Sequence, residues 1–420
     1  MQMIEKTINF SIGLMLFLSP VAAWALTPIE IVELRAFDGR VGDRFGISVS
    51  LDDNTALVGA DTADDKGMDS GSAYVFVRDN KGHWSQQDKL NVPDGSASDY
   101  DYFGYSVSVD GDTALVGAHG GGYHDGSAYV FVRDNSGKWN LQTQLTRPKQ
   151  KSMPKRSSTD YFGFSVSING DTALIGAFAD SLPGTNSLSG SAYVFVRDNN
   201  GKWNKQATKL ISSDSKRWDA FGWSVSVDGD TALIGATGDD DKGTSSGSAY
   251  IFERNSSGNW TEQAKLIASD GAAFSNFGTV LLNGKTALVG AHAADENDKF
   301  SGSAYVFERN TNGDWNEKAK LIASNGAAND HFGWSVSMDN HTALIGALYH
   351  DDKNVDSGSA YVFVRDSSGK WTEQAELTAF KNKAHDTFGW SVSVDGNTAL
   401  VGAIGVKKDK GSAYVFSLAK

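Results

Sequence analysis

Paired carboxylates recur at one place in this sequence, at the fourth and fifth positions after a Gly-Ala pair. The pairs are Asp64 and Asp65, Asp240 and Asp241, Asp295 and Glu296, and Asp351 and Asp352. Two carboxylates on one loop can hold a divalent cation such as calcium, which prefers oxygen ligands. Short polar residues are also typical of turns. Because the spacing fits no familiar calcium cage, we interpret these residues as turn formers and expect no cofactor, with a metal site as the alternative.

A basic stretch interrupts a chain that is otherwise acidic, with a formal net charge of −13. Five cations fall within ten residues: Arg147, Lys149, Lys151, Lys155 and Arg156. Such a cluster can dock an acidic polymer or protein, or it can be a solvated insertion. Trp218 lies in the following inter-repeat loop and is a further candidate for ligand contact, with core packing as the alternative.

The histidines give little support to catalysis. None of the eight has the spacing of a catalytic metal site such as His-Glu-x-x-His, and the chain has no cysteine for thiol chemistry. His119 shares a short glycine-rich loop with His124 and Asp125, and we keep it as a candidate ligand contact. The sequence therefore predicts that the protein is not an enzyme.

The elements that carry these residues repeat seven times. The pair Phe-Gly recurs at intervals of 55 to 59 residues, beginning at Phe45, Phe103, Phe162, Phe221, Phe277, Phe332 and Phe388. A fixed period of this size is typical of repeat architectures. In five units two short apolar runs flank an Asp-Gly or Asn-Gly pair such as Asp228-Gly229, which favours a tight hairpin, and in six units a second glycine turn follows a Ser-Ala-Tyr run. We predict four antiparallel strands per unit.

Large and small side chains alternate along the first strand of six of the seven units. In the fourth unit, Phe221, Trp223, Val225 and Val227 alternate with Gly222, Ser224 and Ser226. Alternation places the two sets on opposite faces, so the large face of one sheet can pack on the small face of the next. This predicts propeller blades, with the aromatic residue after Phe-Gly in the core rather than on a sugar-binding platform.

The two ends of the chain predict a closed ring. The last unit stops at Phe416, after its third strand, whereas the segment from Glu33 to Gly39 matches the segment from Lys265 to Gly271. The N-terminal strand would complete the last blade and leave no bare end face. The predicted fold is all-β: one seven-bladed β-propeller of four-stranded antiparallel blades over residues 26–420.

Phe-Gly followed by Gly-Ala, repeated at blade length over residues 30–420, resembles the FG-GAP repeats of integrin α-subunit heads and of many bacterial surface or secreted proteins. The resemblance implies recognition of a protein or matrix partner. Family members that bind calcium use a long Asp-rich loop between the first two strands, whereas here that connection is a tight turn such as Asp228-Gly229. Such a turn cannot supply the roughly six to eight oxygens that calcium prefers.

The first 25 residues resemble a signal peptide. Lys6 precedes an apolar run from Ile12 to Leu18, and Ala23-Trp24-Ala25 provides a cleavage pattern. The run is too short to span a bilayer. We expect cleavage after Ala25, no membrane span and a secreted or periplasmic monomer. The acidic charge argues against a nucleic-acid partner, which would require a basic surface.

Function should lie where the units differ. The tight turns share one rim of the ring, and the longer connections share the other. We predict a non-enzymatic, exported binding or adhesion propeller that recognises a protein or matrix partner through the long-loop rim. The alternatives are a lectin-like propeller that binds polysaccharide and, less favoured, a carbohydrate-active enzyme.

Overall fold

The computed structural model describes residues 26–94, 96, 98–120, 125–148, 160–181, 188–205, 209–352, 354–381 and 383–419. Within these ranges, 28 strands form seven four-stranded antiparallel sheets, and a short helix α1 lies at Val406–Asp409. None of the helices in these ranges is long and apolar enough to cross a membrane. The predicted signal peptide, residues 1–25, falls outside the described residues.

Each sheet is one blade, and the strands follow in chain order. The first three blades are β2 (Val49–Asp52), β3 (Thr55–Ala60), β4 (Ser72–Arg78) and β5 (Trp84–Leu90); β6 (Phe103–Asp110), β7 (Thr113–Ala118), β8 (Ser127–Arg133) and β9 (Trp139–Thr146); and β10 (Ser165–Asn169), β11 (Thr172–Ala177), β12 (Ser191–Arg197) and β13 (Trp203–Lys205). The next three are β14 (Phe221–Asp228), β15 (Thr231–Ala236), β16 (Ser248–Arg254) and β17 (Trp260–Leu266); β18 (Phe277–Asn283), β19 (Thr286–Ala291), β20 (Ser303–Arg309) and β21 (Trp315–Leu321); and β22 (Phe332–Asp339), β23 (Thr342–Ala347), β24 (Ser359–Arg365) and β25 (Trp371–Leu377).

The seventh blade joins the two ends of the chain. It consists of β26 (Phe388–Asp395), β27 (Thr398–Ala403), β28 (Ser412–Ser417) and the N-terminal β1 (Ile29–Leu34), in the order β1-β28-β27-β26. Strand β1 runs antiparallel to β28 and pairs Leu34 with Ala413. The predictions of seven blades and of closure by the N-terminal strand are confirmed.

The core lies between the blades. Seven buried clusters in the described residues correspond to the seven inter-blade seams. At the seam between the third and fourth blades, Phe221, Tyr250 and Phe252 pack on Leu174 and Val194. A large face therefore packs on a smaller one, as predicted. The first strands of adjacent blades contact one another and are innermost in the ring.

Polar side chains of the first strands also tie the blades together around the axis. Between the seventh and first blades, the Ser391 hydroxyl donates to the Gly46 carbonyl at 2.8 Å, and Ser393 accepts from a backbone N–H of β2 at 3.0 Å. Comparable bonds cross five of the other six seams. At the remaining seam, between the fifth and sixth blades, Leu281 stands in the place of the second serine.

A bulge after Phe-Gly overturns one prediction. Phe221 pairs with Ala236 and Val225 pairs with Ile234, so Gly222 and Trp223 fall outside the regular alternation. Similar register shifts follow Phe103, Phe332 and Phe388. The prediction that the aromatic residue after Phe-Gly lies in the core is therefore wrong, because these side chains are only half-buried.

Candidate binding site

The long connections meet on one rim, which we call the loop rim, and the tight turns lie on the other. On the loop rim, the described second-to-third-strand loops of six blades bond to the start of the next blade. For example, the carbonyls of Asp69 and Ser70 accept from the N–H groups of Tyr102 and Phe103 at 3.1 and 3.0 Å. These bonds hold the residue before Phe-Gly next to the axis.

Three variable positions converge where the loop rim meets the axis: the residue before Phe-Gly, the residue after it, and the residue after Gly-Ala. The residue before Phe-Gly has a positive φ in each blade, including 56° at Arg44, 55° at Tyr102 and 57° at His331. Bulky residues seldom adopt this conformation. We call this region the axial mouth. Its side chains include Arg44, Asp61, Tyr102, Tyr105, His119, Phe164, Trp223, His292, His331, Trp334 and Trp390.

Half of the axial mouth is an arc of rings from the second to the fourth blade. The His119 ring stacks on Tyr102 with centroids 5.1 Å apart and meets Tyr105 edge-on at 4.5 Å. Phe164 continues the arc, 4.9 Å from both Tyr105 and Trp223. Burial lowers the pKa of His119 to about 4, so this ring is neutral near pH 7. The predicted contact residue His119 thus lies inside an aromatic cluster.

A second arc spans the fifth to the seventh blade. His292 lies 5.7 Å from His331 and 5.0 Å from Trp334, whose ring is 5.4 Å from Trp390. Burial lowers the pKa of His292 to about 4. The fifth blade contributes no aromatic residue after Phe-Gly, since its first strand is one residue shorter and continues Thr279-Val280.

The first blade places a charged pair between the two arcs. Arg44 Nη1 lies 3.3 Å from Asp61 Oδ2, and the Asp61 side chain is 1% exposed. Neither Asp61 oxygen accepts a hydrogen bond of good geometry, although the backbone N–H groups of Asp61 and Thr62 favour the ionised carboxylate. Burial raises the pKa of Asp61 to about 6, and the Arg44 charge offsets only part of this shift. Sequence reasoning missed this pair, although Asp61 is the one carboxylate among the seven residues that follow Gly-Ala.

We expect Asp61→Asn to stabilise the fold near neutral pH. The folded-state pKa of about 6 exceeds the ordinary 3.8, so the folded wild type holds the proton more tightly than the unfolded chain does. The wild type therefore loses stability relative to the asparagine variant as the pH rises from 3.8 to about 6. Urea unfolding should show a gain of about 3 kcal/mol for the variant near pH 8 that vanishes near about pH 3. A gain of equal size at both pH values would contradict the assignment to Asp61 ionisation.

The first carboxylate of each predicted metal-binding pair closes its own loop. Asp64, Asp240 and Asp295 each accept from the backbone N–H five residues later at 2.8 Å, and Asp351 does so at 2.7 Å. The donor residues all have positive φ, from 49° at Ser245 to 56° at Phe300. This geometry supports the interpretation of these residues as turn formers.

The second carboxylate of three pairs faces a lysine of the fourth strand. Asp65 contacts Lys89, Asp241 contacts Lys265, and Glu296 contacts Lys320. In the fourth pair, Asp352 lies near His350. Burial lowers the pKa of His350, but the Asp330 carboxylate outweighs burial and raises this pKa, and the charge of Asp352 adds to the increase. Within the described residues, Asp214, Asp239 and Asp241 could together hold a cation. The Lys265 ammonium already contacts all three, at 2.6 Å from Asp214 and 2.9 Å from Asp239.

The basic stretch is described only at its first residue. Arg147 is largely buried, with Nε 2.6 Å from Asp160 Oδ2, so its charge is engaged within the protein. The other predicted residues, Lys149, Lys151, Lys155 and Arg156, lie outside the described residues. Trp218 is 59% exposed, and the Arg217 guanidinium lies 4.9 Å from its ring centroid. Trp218 is therefore on the surface rather than in the core.

One segment has the letters of a hydrolase nucleophile motif. Gly243-Thr244-Ser245-Ser246-Gly247 fits the pattern Gly-x-Ser-x-Gly. In such enzymes this motif forms a sharp turn between a strand and the helix that follows it. Here the segment joins antiparallel strands β15 and β16. The Ser245 N–H donates to Asp240, as the equivalent residue Asp69 donates to Asp64. The motif is therefore a copy of the repeated loop.

Comparison with known proteins agrees with this architecture. FG-GAP repeats match well over half of the chain, at residues 29–76, 84–131, 156–195, 203–252, 260–307, 315–363 and 371–416. The chain belongs to the FG-GAP repeat family. Six of the seven matched segments join a fourth strand to the first three strands of the next blade, so the family repeat is offset from the blade; the segment 156–195 begins after β9.

Among solved structures, this FG-GAP protein is similar to a periplasmic gluconolactonase of Pseudomonas aeruginosa. The match has 14% sequence identity and a TM-score of 0.52, and it covers 80% of this chain and 86% of that one. At this identity the likeness shows the fold alone. No curated protein matches the chain in sequence.

Proposed function

We propose that this FG-GAP protein is a non-enzymatic, exported binding propeller that recognises a protein or matrix partner through its loop rim. The observation that carries the proposal is where apolar surface is exposed. Twelve large hydrophobic side chains of the described residues are well exposed, and nine lie in loop-rim connections: Phe37, Val41, Met68, Ile211, Trp218, Phe274, Tyr349, Val355 and Phe380. The other three lie on fourth strands. Such a concentration on one face is typical of an interaction surface.

Trp218 and Phe274 are the strongest anchors on this rim. They occupy equivalent positions before the fourth and fifth blades and are 59% and 57% exposed. Both have positive φ, at 75° and 67°, which is unfavourable for bulky residues. Neither the strained backbone nor the exposed ring of these two residues stabilises the free protein. Large exposed aromatic residues do, however, often dominate the binding energy of an interface. The periplasmic location of the structural neighbour supports export of this chain.

The test compares residues 26–420 with a Trp218→Ala/Phe274→Ala double variant. Each protein is immobilised and exposed to purified matrix proteins and to a cell-envelope extract, and binding is followed by interferometry. We expect saturable binding that weakens at least about tenfold in the double variant, because hot-spot aromatics contribute about 2 kcal/mol or more. Leu141→Ala, an exposed apolar residue on outer strand β9, is the matched control. Equal weakening by the control, or no saturable binding, would reject the proposal.

A saccharide ligand is the second candidate. The aromatic arcs of the axial mouth favour it, because half-buried rings beside polar groups can stack on sugar faces. The structural neighbour is a gluconolactonase, and its likeness to this chain provides an architecture rather than a catalytic site.

A further inference from the structure

The seam between the fifth and sixth blades differs from the other six in how its blades are joined near the axis. At each of those six seams, two first-strand serines and the aspartate or asparagine that ends the strand form hydrogen bonds to the backbone of the next blade. Between the second and third blades, these three polar ties run from Ser106, Ser108 and Asp110 to Gly163, Ile168 and Gly170.

All three polar ties are missing between the fifth and sixth blades. The residues in their places are Thr279, Leu281 and Asn283, and within the described residues none of them bonds to the first strand of the sixth blade or to its turn. Leu281 has no polar side-chain atom, so Met338, the counterpart of Ile168, finds no hydroxyl there. Near the axis this seam is therefore held by apolar packing, in which Leu281 and Met338 take part, rather than by hydrogen bonds.

The loop rim of this seam remains bonded as at other seams. The carbonyls of Phe300 and Ser301 accept from the N–H groups of His331 and Phe332 at 3.1 and 3.0 Å. The two blades can therefore separate at their axial edges while the loop rim acts as a hinge.

Two histidines face each other across this seam, in the second arc of the axial mouth. His292 follows Gly-Ala of the fifth blade and His331 precedes Phe-Gly of the sixth, with ring centroids 5.7 Å apart. The Nδ1 atom of each ring is buried and has no hydrogen-bond partner among the described residues. Burial lowers the pKa of both rings, that of His292 to about 4. Both are neutral near pH 7, and each would bind a proton more readily if the seam opened to water.

The surroundings of this pair do not offset a second positive charge. The other titratable or charged side chains near it are Asp330, Tyr349, His350 and Lys299. Asp330 counters part of the effect of burial on His331, but its carboxylate lies 2.8 Å from Nδ1 of His350. The Lys299 ammonium lies over the Phe300 ring that stacks on His331, so its charge also opposes protonation. Two protonated rings would face each other here without a carboxylate partner of their own.

We propose that this seam is an acid-sensitive gate of the axial mouth: protonation of His292 and His331 separates the axial edges of the fifth and sixth blades while the other six seams stay closed. Repulsion between the two imidazolium rings and their need for hydration both favour the open edge. No polar tie opposes the separation. The gate is independent of the partner-binding surface around Trp218 and Phe274, and it changes the shape of the second aromatic arc.

His119 provides an internal comparison at the seam between the second and third blades. Burial lowers its pKa to about 4, as it does for His292. His119 faces aromatic rings rather than a second histidine, and its seam has all three polar ties. The same acidity should therefore leave that seam closed.

The experiment uses single thiols as reporters, because the chain contains no cysteine. Met338 and Ile168 occupy equivalent buried places, each at the seam with the preceding blade. Met338→Cys and Ile168→Cys, each in residues 26–420, are labelled with a dipyridyl disulfide, and each rate is divided by that of the urea-unfolded protein at the same pH. Between about pH 7.5 and about pH 4.5, the relative rate for Met338→Cys should rise at least about tenfold, because an open edge restores the ordinary pKa of His292. The relative rate for Ile168→Cys should stay nearly constant.

Three further variants in the Met338→Cys background separate the gate from general acid unfolding. His292→Leu introduces the residue found at the equivalent Leu348 and should abolish the acid response. His331→Asn, which matches Asn276 with its φ of 52°, should reduce it and provides a second test. Leu281→Ser supplies the missing hydroxyl and should slow labelling at both pH values. Equal acid responses of the two thiols, a response that survives both histidine substitutions, or labelling that Leu281→Ser does not slow would overturn the gate.

Discussion

Replacing Gly346 by alanine is expected to lower the free energy of unfolding by about 3 kcal/mol, as overpacking against fixed atoms does. Gly346 is the glycine of Gly-Ala in the sixth blade. A Cβ there would overlap the carbonyl oxygen of Gly389, the glycine of Phe-Gly in the next blade, and the Ser335 hydroxyl that donates to that carbonyl. Because the obstacle is backbone held within a seam, neither side can give way cheaply. The urea midpoint measures the loss.

Gly396→Ala is the matched control for this effect. Gly396 lies in a hairpin turn with φ of 53° and has nothing within 4 Å of a Cβ. Its substitution should cost only about 1 kcal/mol, the usual penalty of the left-handed conformation. Equal losses at the two positions would show that contact between Gly-Ala and Phe-Gly does not hold adjacent blades together.

This contact explains why the fold could be predicted from the sequence. The same overlap recurs at Gly59, Gly117, Gly176, Gly235, Gly290 and Gly402, each against the Phe-Gly glycine of the following blade. The family motif therefore contains the two glycines that must come into close contact where adjacent blades meet. Because the motif occurs seven times, the sequence predicts seven such contacts and hence seven blades. The Asp-Gly pairs similarly predicted where the first and second strands of a blade end, since few other residue pairs accept the positive φ of a tight hairpin turn.

The candidate site could not be predicted in the same way. Two added residues after Phe-Gly break the alternation that placed Trp223 in the core, and period-two patterning cannot detect a bulge. Arg44 and Asp61 are 17 positions apart in the sequence and meet only because adjacent strands end at the same rim. A charged pair that occurs in only one of seven repeats leaves no periodic signal in the sequence.

The loop carboxylates illustrate a different limit. From sequence alone, Asp240 and Asp241 were interpreted as turn formers, with a cation site as the alternative. Their partners are the N–H of Ser245, five residues on, and the ammonium of Lys265, which lies on a different strand. The pairing with Lys265 depends on strand register, which the spacing of acidic residues does not reveal.

Removing residues 26–36 is expected to open the ring and to destabilise the protein by about 5 kcal/mol. Leu34 is 3% exposed and packs with Phe45, Leu400 and Val415 at the seam between the seventh and first blades. Its burial contributes about 2 kcal/mol. Several ladder hydrogen bonds to β28 add about 1 kcal/mol each. The truncated chain should unfold at a much lower urea concentration than residues 26–420.

The same deletion should make the protein self-associate, because it leaves β28 as an unpaired edge beside an uncovered core. A synthetic peptide of residues 26–36 should restore both the urea midpoint and the monomeric elution volume by refilling that edge. The matched control is Ile29→Thr with Ile31→Gln, which gives β1 the polar residues found at Thr261 and Gln263. Ile29 and Ile31 are 66% and 45% exposed, so this change should shift stability by less than about 0.5 kcal/mol. A truncated chain as stable as the control would mean that β1 does not hold the ring closed, whereas peptide rescue would tie closure to this strand alone.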